Sequence, residues 1–383
     1  MDFTLTTQQM QLQARARQFA LEEVAPIART CDEQGTFPHH LVKRMAELGF
    51  LAGPLEPDYG GTGMDYVSYA LLCEELGRVD SSVRGFLTVH TGLVALCIRQ
   101  WGSDQQKQRY LPLLASGDWI GCYALTEPDA GSDAASIATT AHRQGNEYLL
   151  NGEKIWITNG PSAQLALLFA TRDRTQGHRG ICAFLIETDT PGFEREPMPG
   201  KELGHRASEH AHIILRDCRV PASALLGAEG EGFKIAMSAL NRGRLGVAAG
   251  AVGVAQACLD ACVDFTRQRQ QFGQRLADFQ MVQATLADMA ADVEAARLLV
   301  YRAAWQQDQG QETTRATSIA KLFATEAATR AASEAVLLHG NRGYSNEYPV
   351  ERYYRDIKGL QIYEGTSHIQ RLIIARDLVG RKR

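Results

Sequence analysis

The stretch Tyr123-Ala124-Leu125-Thr126-Glu127-Pro128-Asp129-Ala130-Gly131-Ser132-Asp133 marks the point at which the pattern of the sequence changes. Here a short strand-like run enters a loop that is dense in hydroxyl groups, small residues and backbone N–H groups. Such a loop can approach a flat ligand with polar edges closely. An ordinary β-turn held by Asx hydrogen bonds is the alternative for this stretch taken alone.

Before this stretch, the spacing of the apolar residues is that of helices. Thr6 and Gln9 form a predicted capping box for a helix over 6–28, which Pro26 bends or ends. Helical spacing then covers three more segments: 38–48, 66–78 and 81–101. We therefore expect the chain up to about residue 120 to be mainly helical.

After residue 120, the pattern is that of short strands. The runs 148–150 and 154–158 flank Asn151-Gly152, a dipeptide that favours a hairpin turn. Trp156 and Thr158 would then share one face of a strand, although an ordinary core tryptophan is the alternative. Further strands are predicted at 165–171, 181–188 and 210–215. From residue 232, helical spacing returns over 236–270, 277–306, 314–340 and 367–378, so the architecture is helical, then β, then helical.

The composition excludes several classes of protein. Of 383 residues, 45% are hydrophobic and 22% are charged, which is typical of folded globular chains. The formal net charge is −4 without a block of like charges, so neither a nucleic acid nor a membrane is predicted as a partner. The most apolar stretch, 245–259, falls short of the roughly 20 residues that a bilayer requires. The start of the chain lacks a secretory signal pattern, and we expect a cytoplasmic location.

Metal binding and nucleophilic hydrolysis are not predicted. The eight cysteines are scattered without a C-x-x-C pair, which indicates reduced thiols. His210 with His212, and Cys258 with Cys262, lack further ligands at metal-binding spacing. The chain has no G-x-S-x-G motif, and its glycine clusters do not match the dinucleotide fingerprint G-x-G-x-x-G.

A second stretch, Gln361-Ile362-Tyr363-Glu364-Gly365-Thr366-Ser367-His368-Ile369-Gln370-Arg371, contains a candidate general base. Glu364 comes directly before a helix for which Ser367 and Gln370 form a predicted capping box. The N–H groups at that helix start would favour an anion such as a pyrophosphate, and would also favour ionised Glu364. Burial beside its bulky neighbours would raise the pKa of Glu364, and a general base needs both effects. A capping or salt-bridged glutamate is the alternative.

Four motifs in this order and spacing resemble the acyl-CoA dehydrogenase family, and the likeness covers essentially the whole chain. They are Thr126-Glu127-Pro128-Asp129-Ala130-Gly131-Ser132-Asp133, Trp156-Ile157-Thr158-Asn159-Gly160, Arg269-Gln270-Gln271-Phe272-Gly273 and Tyr363-Glu364-Gly365-Thr366-Ser367. The resemblance implies an α+β fold with an N-terminal α-helical domain over 1–120, a middle β-barrel or β-sandwich domain over 121–233 and a C-terminal four-helix bundle domain over 234–383.

The resemblance also implies FAD as the cofactor, bound between the β domain and the C-terminal helices of a homotetramer or homodimer. The residues implied to line the flavin ring are Tyr123, Leu125, Thr126, Gly131 and Ser132. Those implied to stack on or bond to the isoalloxazine are Trp156 and Thr158. Those implied to contact the FAD of a neighbouring subunit are Arg269, Gln271, Phe272, Leu337, Gly340 and Asn341. Those implied to complete the site at the helix start are Thr366 and His368.

For the substrate, the resemblance implies an acyl thioester and a short list of contacts: Ser132, Asn241, Arg244, Tyr363 and Gly365. Glu364 would take the α-proton while the β-hydrogen leaves as hydride to the flavin, and hydrogen bonds to the thioester carbonyl would stabilise the enolate. Some branches of the family carry the base at the position of Gly243, which has no side chain to serve. We expect the residues that close the acyl pocket around 88–96.

Several functions stay open at this point. The favoured one is α,β-dehydrogenation of a short or modified acyl-CoA, with an electron-transfer flavoprotein or similar acceptor. The same oxidation of an acyl group on an acyl or peptidyl carrier protein is the first alternative, because the reacting end contains only thioester and pantetheine. A flavin oxidase or monooxygenase, and a flavin-binding protein without catalysis, are the others.

Overall fold

The structure is a computed structural model that describes residues 4–380. Its first segment consists of the helices α1 Thr7–Phe19, α2 Ala25–Gln34, α3 His40–Glu47, α4 Tyr66–Val79, α5 Ser81–Leu87, α6 Leu96–Trp101 and α7 Asp104–Ala115. The capping box of Thr6 and Gln9 is confirmed, since each side chain bonds the other's backbone N–H. Pro26 neither ends nor breaks this segment: it lies in the first turn of α2, which follows α1 through the π-helical turn Ala20–Val24.

Two helical stretches correct the expectation that no segment is long and apolar enough to cross a membrane. Ser81–Trp101, in which the π-helical segment Thr88–Ala95 joins α5 to α6, and Gly232–Gln268 both have that length and composition. However, 89% and 72% of their most apolar windows are buried inside the protein. Since the apolar surface of both helices is covered by the rest of the chain, we assign them to the core.

A single eight-stranded sheet follows, and all its strands lie between α7 and α8. The strands are β1 Gly121–Ala124, β2 Thr140–Gln144, β3 Glu147–Thr158, β4 Leu165–Thr171, β5 Ile181–Glu187, β6 Phe193–Pro197, β7 His210–Pro221 and β8 Leu225–Leu226. The strand order is β6-β7-β3-β2-β4-β5-β8, and β1 pairs with β4 in parallel. The central strands β4 and β5 are buried over nearly their whole length.

The predicted hairpin at Asn151-Gly152 is wrong. Strand β3 runs through this dipeptide, and the β2–β3 hairpin turns six residues earlier, where Gln144 pairs with Glu147. Gly152 instead lies at a shift in the register between β3 and β7, with φ of 144°. A Cβ there would approach the Cα of Thr139 to 2.6 Å, so the glycine permits a close approach of backbones rather than a turn.

Trp156 occupies a second irregularity in β3. The register with β7 shifts between Lys154 and Ile157, and Trp156 has a φ of 58°. Lys154 and Ile157 are both buried, whereas the side chain of Trp156 is 49% exposed. The bulge therefore interrupts the alternation of inward-facing and outward-facing side chains along β3. Because the side chain of Trp156 is half exposed, it is not an ordinary core tryptophan.

The last segment consists of α8 Gly232–Gln268, α9 Gln280–Asp308, α10 Thr314–His339, α11 Val350–Leu360 and α12 Ser367–Val379, with a two-stranded ribbon of β9 Gln270–Gln271 and β10 Gln274–Arg275. Helix α11 was not predicted. Helix α8 packs against both α10 and α4, and its contact with α4 is close because a Cβ on Gly77 would lie 2.6 Å from the carbonyl of Gly250. Helical, β and helical segments in this order confirm the α+β fold class.

Candidate active site

Glu364 lies in the turn between α11 and α12 in a conformation that L-residues rarely adopt. Its φ is 55°, and that of the following Gly365 is 91°. A non-glycine residue in this region costs on the order of 1 kcal/mol or more, which surrounding contacts must offset. Two side chains donate hydrogen bonds to the carbonyl of Glu364: Nε of Arg244 at 3.4 Å and Nε2 of Gln370 at 3.3 Å.

Lys321 fixes the same turn from α10. Its side chain is 1% exposed, and Nζ donates hydrogen bonds of 2.7 Å to the carbonyls of both Tyr363 and Gly365. The carbonyl groups on either side of Glu364, and that of Glu364 itself, are therefore all bound by side chains from α8, α10 and α12. This arrangement holds the strained residue in one orientation.

The carboxylate of Glu364 points into the protein against α8. Its Oε2 atom is buried and has no hydrogen-bond partner in the structure. A Cβ at residue 243 would overlap this oxygen, so Gly243 provides the space that the carboxylate occupies. A buried, unpaired carboxylate oxygen is costly and therefore indicates a group that reacts with or binds a ligand.

Burial raises the pKa of Glu364 to about 7, although the positive charges of Lys321, Arg84 and Arg244 oppose the rise. Burial also lowers the pKa of Lys321 below its ordinary value, and the charge of Glu364 opposes that change. Glu364 is thus a weakly solvated carboxylate that can exchange a proton near neutral pH, which suits a general base.

Arg84 was not predicted from the sequence and is the largest fully buried side chain in the described residues. It lies on α5, where Nη1 donates a hydrogen bond of 3.1 Å to Oγ1 of Thr88 and Nη2 donates to the hydroxyl of Tyr363. Its Nε has no partner. The signal in the sequence was a single charged residue in the short run 81–87, whereas Lys321 lies in α10 among other charged residues and carries no such signal.

Three of the predicted ligand contacts lie along the first half of α8. Tyr123 is buried and its hydroxyl donates to the carbonyl of Ala236 at 3.2 Å. Asn241 accepts a hydrogen bond of 2.6 Å from Thr317, and the buried Arg244 contacts Glu364 as described. The structure therefore brings Tyr123, Asn241, Arg244, Tyr363, Glu364 and Gly365 to one end of this helix.

The loop after β1 is held by a buried ion pair. Nζ of Lys154 lies 2.6 Å from Oε1 of Glu127 and donates a second bond of 3.1 Å to the carbonyl of Leu125. Burial lowers the pKa of Lys154 to about 8, and the charge of Glu127 opposes that change. Beyond the pair, Gly131 and Ser132 are exposed, and a Cβ on Gly131 would meet no atom within 4 Å. The loop is fixed at its base and leaves open space beside its tip.

Trp156 and Thr158 lie next to this loop. The N–H of Ile155 donates a 3.0 Å bond to the carbonyl of Thr126, which joins the two motifs. The ring of Trp156 meets the ring of His210 edge-on at 6.0 Å between centroids. This bond places the strand segment with the exposed indole next to the base of the loop whose tip is exposed.

The remaining predicted flavin contacts lie at the other end of α8: Arg269, Gln271, Phe272, Leu337, Gly340 and Asn341. Arg269 follows Arg244 by 25 residues, roughly 37 Å along a continuous helix. The stacked rings of Phe265 and His339, 4.2 Å apart, connect the C-terminal end of α8 to the end of α10. Phe272, at the tip of the ribbon, is 94% exposed. Within one chain, these residues do not reach Glu364.

The start of α12 differs from the prediction. The N-cap is Thr366, whose hydroxyl accepts a bond of 3.2 Å from the N–H of Ile369, so the capping box of Ser367 and Gln370 is wrong. Ser367 instead donates to Glu326 at 2.7 Å, and Gln370 binds the Glu364 turn. The turn with φ above zero shifts the helix start back by one residue. His368 is exposed on the first turn.

In residues 4–380, no group of three or more His, Cys, Asp or Glu side chains is placed to hold a metal ion. All eight cysteines are free thiols.

Family models cover almost the whole chain. They are the acyl-CoA dehydrogenase N-terminal domain over residues 6–118, the middle domain over 122–218 and the C-terminal domain over 230–379. An acyl-CoA dehydrogenase of Bacillus subtilis is 46% identical over 98% of this chain and 99% of the relative. The short-chain specific mitochondrial enzyme of Rattus norvegicus is 45% identical over 97% of this chain and 90% of the relative.

Three solved structures share the fold across their lengths. A chain from a study of the electron transferring flavoprotein of Acidaminococcus fermentans has a TM-score of 0.97 and 42% identity, with all of both chains covered. The prolyl acyl carrier protein oxidase AnaB has a TM-score of 0.94 and 34% identity over 98% of this chain and all of the other. A glutaryl-CoA dehydrogenase from Mycobacterium smegmatis in complex with FADH2 has a TM-score of 0.94 and 36% identity over 99% and 96%.

Proposed function

The chain belongs to the acyl-CoA dehydrogenase family, whose members are FAD-dependent oxidoreductases. On that premise, we propose that it removes two hydrogens from the α and β carbons of a short acyl thioester, with Glu364 as the base. The observation that carries this proposal is the carboxylate of Glu364, whose buried Oε2 has no partner and lies in the space left by Gly243.

The residues present fit FAD. An exposed tryptophan beside the open loop tip at Gly131 offers a flat apolar wall next to backbone and hydroxyl groups, which suits the flavin ring. The N-terminus of the 13-residue α12, which follows Thr366, is the positive end of the helix dipole and suits an anionic group. The residues that would hold the ring are Tyr123, Leu125, Thr126, Gly131, Ser132, Trp156 and Thr158, with Thr366 and His368 at the helix start. When bound, FAD supplies the hydride acceptor.

The chain's own residues would prepare the proton transfer. Because Glu364 is weakly solvated, its ionised form is a stronger base than a carboxylate in water. Arg244, Gln370 and Lys321 hold the turn, so the carboxylate is already oriented when the thioester arrives. The N–H of Glu364 would donate to the thioester carbonyl, where negative charge develops as the α-proton leaves. Ser132, Asn241, Arg244, Tyr363 and Gly365 would bind the substrate around this point.

The carrier of the acyl group is a separate question. The rat relative is named for short acyl-CoA substrates, whereas AnaB is named an oxidase for prolyl groups on an acyl carrier protein. The M. smegmatis protein is named for glutaryl-CoA, whose acyl group carries a second carboxyl group. We favour acyl-CoA, because the relatives with the highest identity among those described carry that name. Acyl carrier protein thioesters are the second candidate, on the evidence of AnaB.

The electron acceptor is proposed on similar grounds. The likeness to a chain studied with an electron transferring flavoprotein favours an acceptor of that kind. The oxidase name of AnaB supports oxygen as the alternative. We propose a cytoplasmic location on the likeness to the Bacillus subtilis relative, whereas the rat relative is named a mitochondrial enzyme.

The predicted FAD contacts at the C-terminal end of α8 favour a homo-oligomer. Arg269, Gln271 and Phe272 lie roughly 37 Å along α8 from Arg244, too far to touch a cofactor beside Glu364 of the same chain. Together with Leu337, Gly340 and Asn341, they would contact the FAD of a neighbouring subunit in a dimer or tetramer. The exposed Phe272 supports this role, because a monomer would leave it in water.

The proposal is tested by anaerobic titration of the FAD-loaded protein with short acyl-CoAs and with the same acyl groups on an acyl carrier protein. Bleaching of the flavin together with a product lighter by two hydrogens is the expected result. An oxygen pulse then identifies the acceptor class, since rapid reoxidation in the presence of product indicates an oxidase. No bleaching by either thioester class would contradict the proposal.

A further inference from the structure

The buried ion pair under the loop after β1 has no part in the proton transfer. The side chain of Lys154 is fully buried and that of Glu127 is 5% exposed. Besides Glu127, the amine binds the carbonyl of Leu125. The carboxylate also accepts hydrogen bonds from the N–H groups of Ala138 and Thr139. Apolar side chains of similar size can often replace such a pair without loss of stability, so its directional bonds point to another role.

The pair joins the two segments that would hold the flavin ring. Leu125 and Thr126 belong to the loop, and Trp156 follows Lys154 by two residues in β3. Lys154 is the last residue in register with β7 before the bulge that leaves the side chain of Trp156 exposed. One residue further, the N–H of Ile155 donates a 3.0 Å bond to the carbonyl of Thr126. The amine and this backbone bond thus fix two consecutive carbonyls of the loop against the start of the bulge.

The bond to the Leu125 carbonyl also sets the direction of a free N–H group. The carbonyl of Leu125 and the N–H of Thr126 belong to one planar trans peptide, so they point in opposite directions. Since Nζ of Lys154 binds the carbonyl, the N–H of Thr126 points away from the lysine. Among the described residues, this N–H has no hydrogen-bond partner. A backbone donor that is held in place without a partner is available to a ligand.

We propose that Lys154 and Glu127 are a positioning pair for the flavin, which aims the N–H of Thr126 at the ring. The inference rests on the proposed function, because it assigns a task to the loop that would hold FAD. The flavin ring gains negative charge on reduction, and a donor already held toward it stabilises that charge without reorganisation. The pair acts through the peptide that it holds. It should therefore raise the affinity for reduced FAD more than the affinity for oxidised FAD.

The main test removes the pair without leaving a buried charge unpaired. In the double variant Lys154→Met with Glu127→Gln, both charges disappear together, so the free energy of unfolding should change little. The midpoint potential of the bound FAD is measured against reference dyes. We expect it to fall by about 30 mV, which corresponds to a tenfold loss in the preference for reduced FAD. Dilution of the FAD-loaded protein should release flavin at roughly tenfold higher protein concentration than for the wild type.

Two single variants separate the direction of the peptide from the charge of the pair. Lys154→Met removes the bond to the Leu125 carbonyl and should lower the potential at least as far as the double variant does. Glu127→Gln removes a negative charge but leaves the amine on that carbonyl, so the potential should not fall. The control is Arg216→Gln with Glu194→Gln, which removes an exposed ion pair of the same sheet and should change neither potential nor flavin release.

Circular dichroism identifies the variants that fold, and either Lys154→Met or the double variant decides the inference. A wild-type potential in a folded variant of this kind would overturn it, even if the flavin were released more readily. A fall in Glu127→Gln equal to that in Lys154→Met would also overturn it. Failure of the proposed function is seen separately, as FAD-loaded wild type that no thioester bleaches. The potential is measured without a thioester and still decides the role of the pair.

Discussion

Two buried groups of charged residues meet at α5, and they differ in how their charges are paired: Asp80, at the start of the helix, belongs to one group, and Arg84, within it, belongs to the other. The paired cluster joins α2, the start of α5 and α11, and consists of Asp32, Asp80, Arg352, Arg355 and Asp356. There, each arginine lies within ion-pair distance of a carboxylate: Arg355 meets Asp32 at 2.7 Å, and Arg352 meets Asp80 at 3.3 Å. The base centre consists of Arg84, Arg244, Lys321 and Glu364, and contains no such pair.

The difference separates a structural role from a functional one. In the paired cluster, the carboxylates and N–H donors satisfy one another, and the N–H of His205 adds a 2.7 Å bond to Asp356. Such a network stabilises one fold, and none of the five charged side chains of the paired cluster has a buried polar atom without a partner. In the base centre, cations bind carbonyls and a strained turn while Oε2 of Glu364 stays free. Unpaired buried charge is retained where a ligand supplies the partner.

The largest expected effect concerns the base centre. Glu364→Gln removes the proton acceptor and keeps the shape of the side chain, so flavin bleaching by acyl thioesters should fall by roughly 100- to 10,000-fold. Flavin content, measured by absorbance, should stay at the wild-type level. Glu326→Gln, a neighbouring carboxylate that binds Ser367 and Gln361, is the matched control. Normal bleaching by Glu364→Gln would remove the base assignment.

The second prediction compares how much the paired cluster and the base centre each contribute to the free energy of unfolding. Arg352→Met leaves Asp80 and Asp356 without their partner, which should cost about 3 to 5 kcal/mol of unfolding free energy. Arg84→Met leaves no carboxylate unpaired and should cost much less. Urea unfolding of both variants, followed by circular dichroism, gives the comparison. Equal losses would show that Arg84 is as structural as Arg352.

The third prediction uses pH to test the electrostatics of the base centre. The positive charge of Lys321 lowers the pKa of Glu364, and the ionised form is the active one. Lys321→Met should therefore move the acid limb of the pH–activity profile to higher pH, by roughly one unit. Lys358→Met, which removes an exposed lysine of α11, should leave the limb in place. If the acid limb of the Lys321→Met profile stays in place, the charge of Lys321 does not act on Glu364, and its role is only to hold the turn.

The smallest expected effect is at the far end of α8. Arg269→Ala should weaken flavin retention by roughly tenfold, the value of about one charge-assisted hydrogen bond, or reduce the oligomer mass. Arg275→Ala on the same ribbon, whose partner is Asp278, is the control. Gel filtration with flavin absorbance measures both properties. Unchanged flavin content and mass in Arg269→Ala would remove the role between subunits.

The sequence predicted the fold class because its periodicities are long and regular. It failed where a local signal competes with a contact distant in sequence. Asn151-Gly152 has the composition of a hairpin turn, yet the approach of Thr139 to Gly152 uses the glycine within a strand. Ser367 looked like a helix cap, but after the turn with positive φ at Glu364 the N-cap is Thr366 and Ser367 is the first residue of α12.

The candidate site shows the same limit. Glu364 could be selected from its own neighbours, because a carboxylate between bulky residues and before a helix is unusual. Arg84 and Lys321 could not be selected from the sequence. Their contacts with the Glu364 turn form only when α5 and α10 pack against it. A lone charge within an apolar helical run indicates burial but does not identify the partner.

The most direct test of the central claim is single-turnover flavin bleaching with short acyl-CoAs deuterated at the α or the β carbon. If Glu364 takes the α-proton as the β-hydrogen leaves as hydride, deuterium at either carbon should slow bleaching of the wild-type flavin, and the product should be the 2-enoyl thioester. Bleaching that is insensitive to deuterium at both carbons, or that yields no enoyl product, would contradict the account.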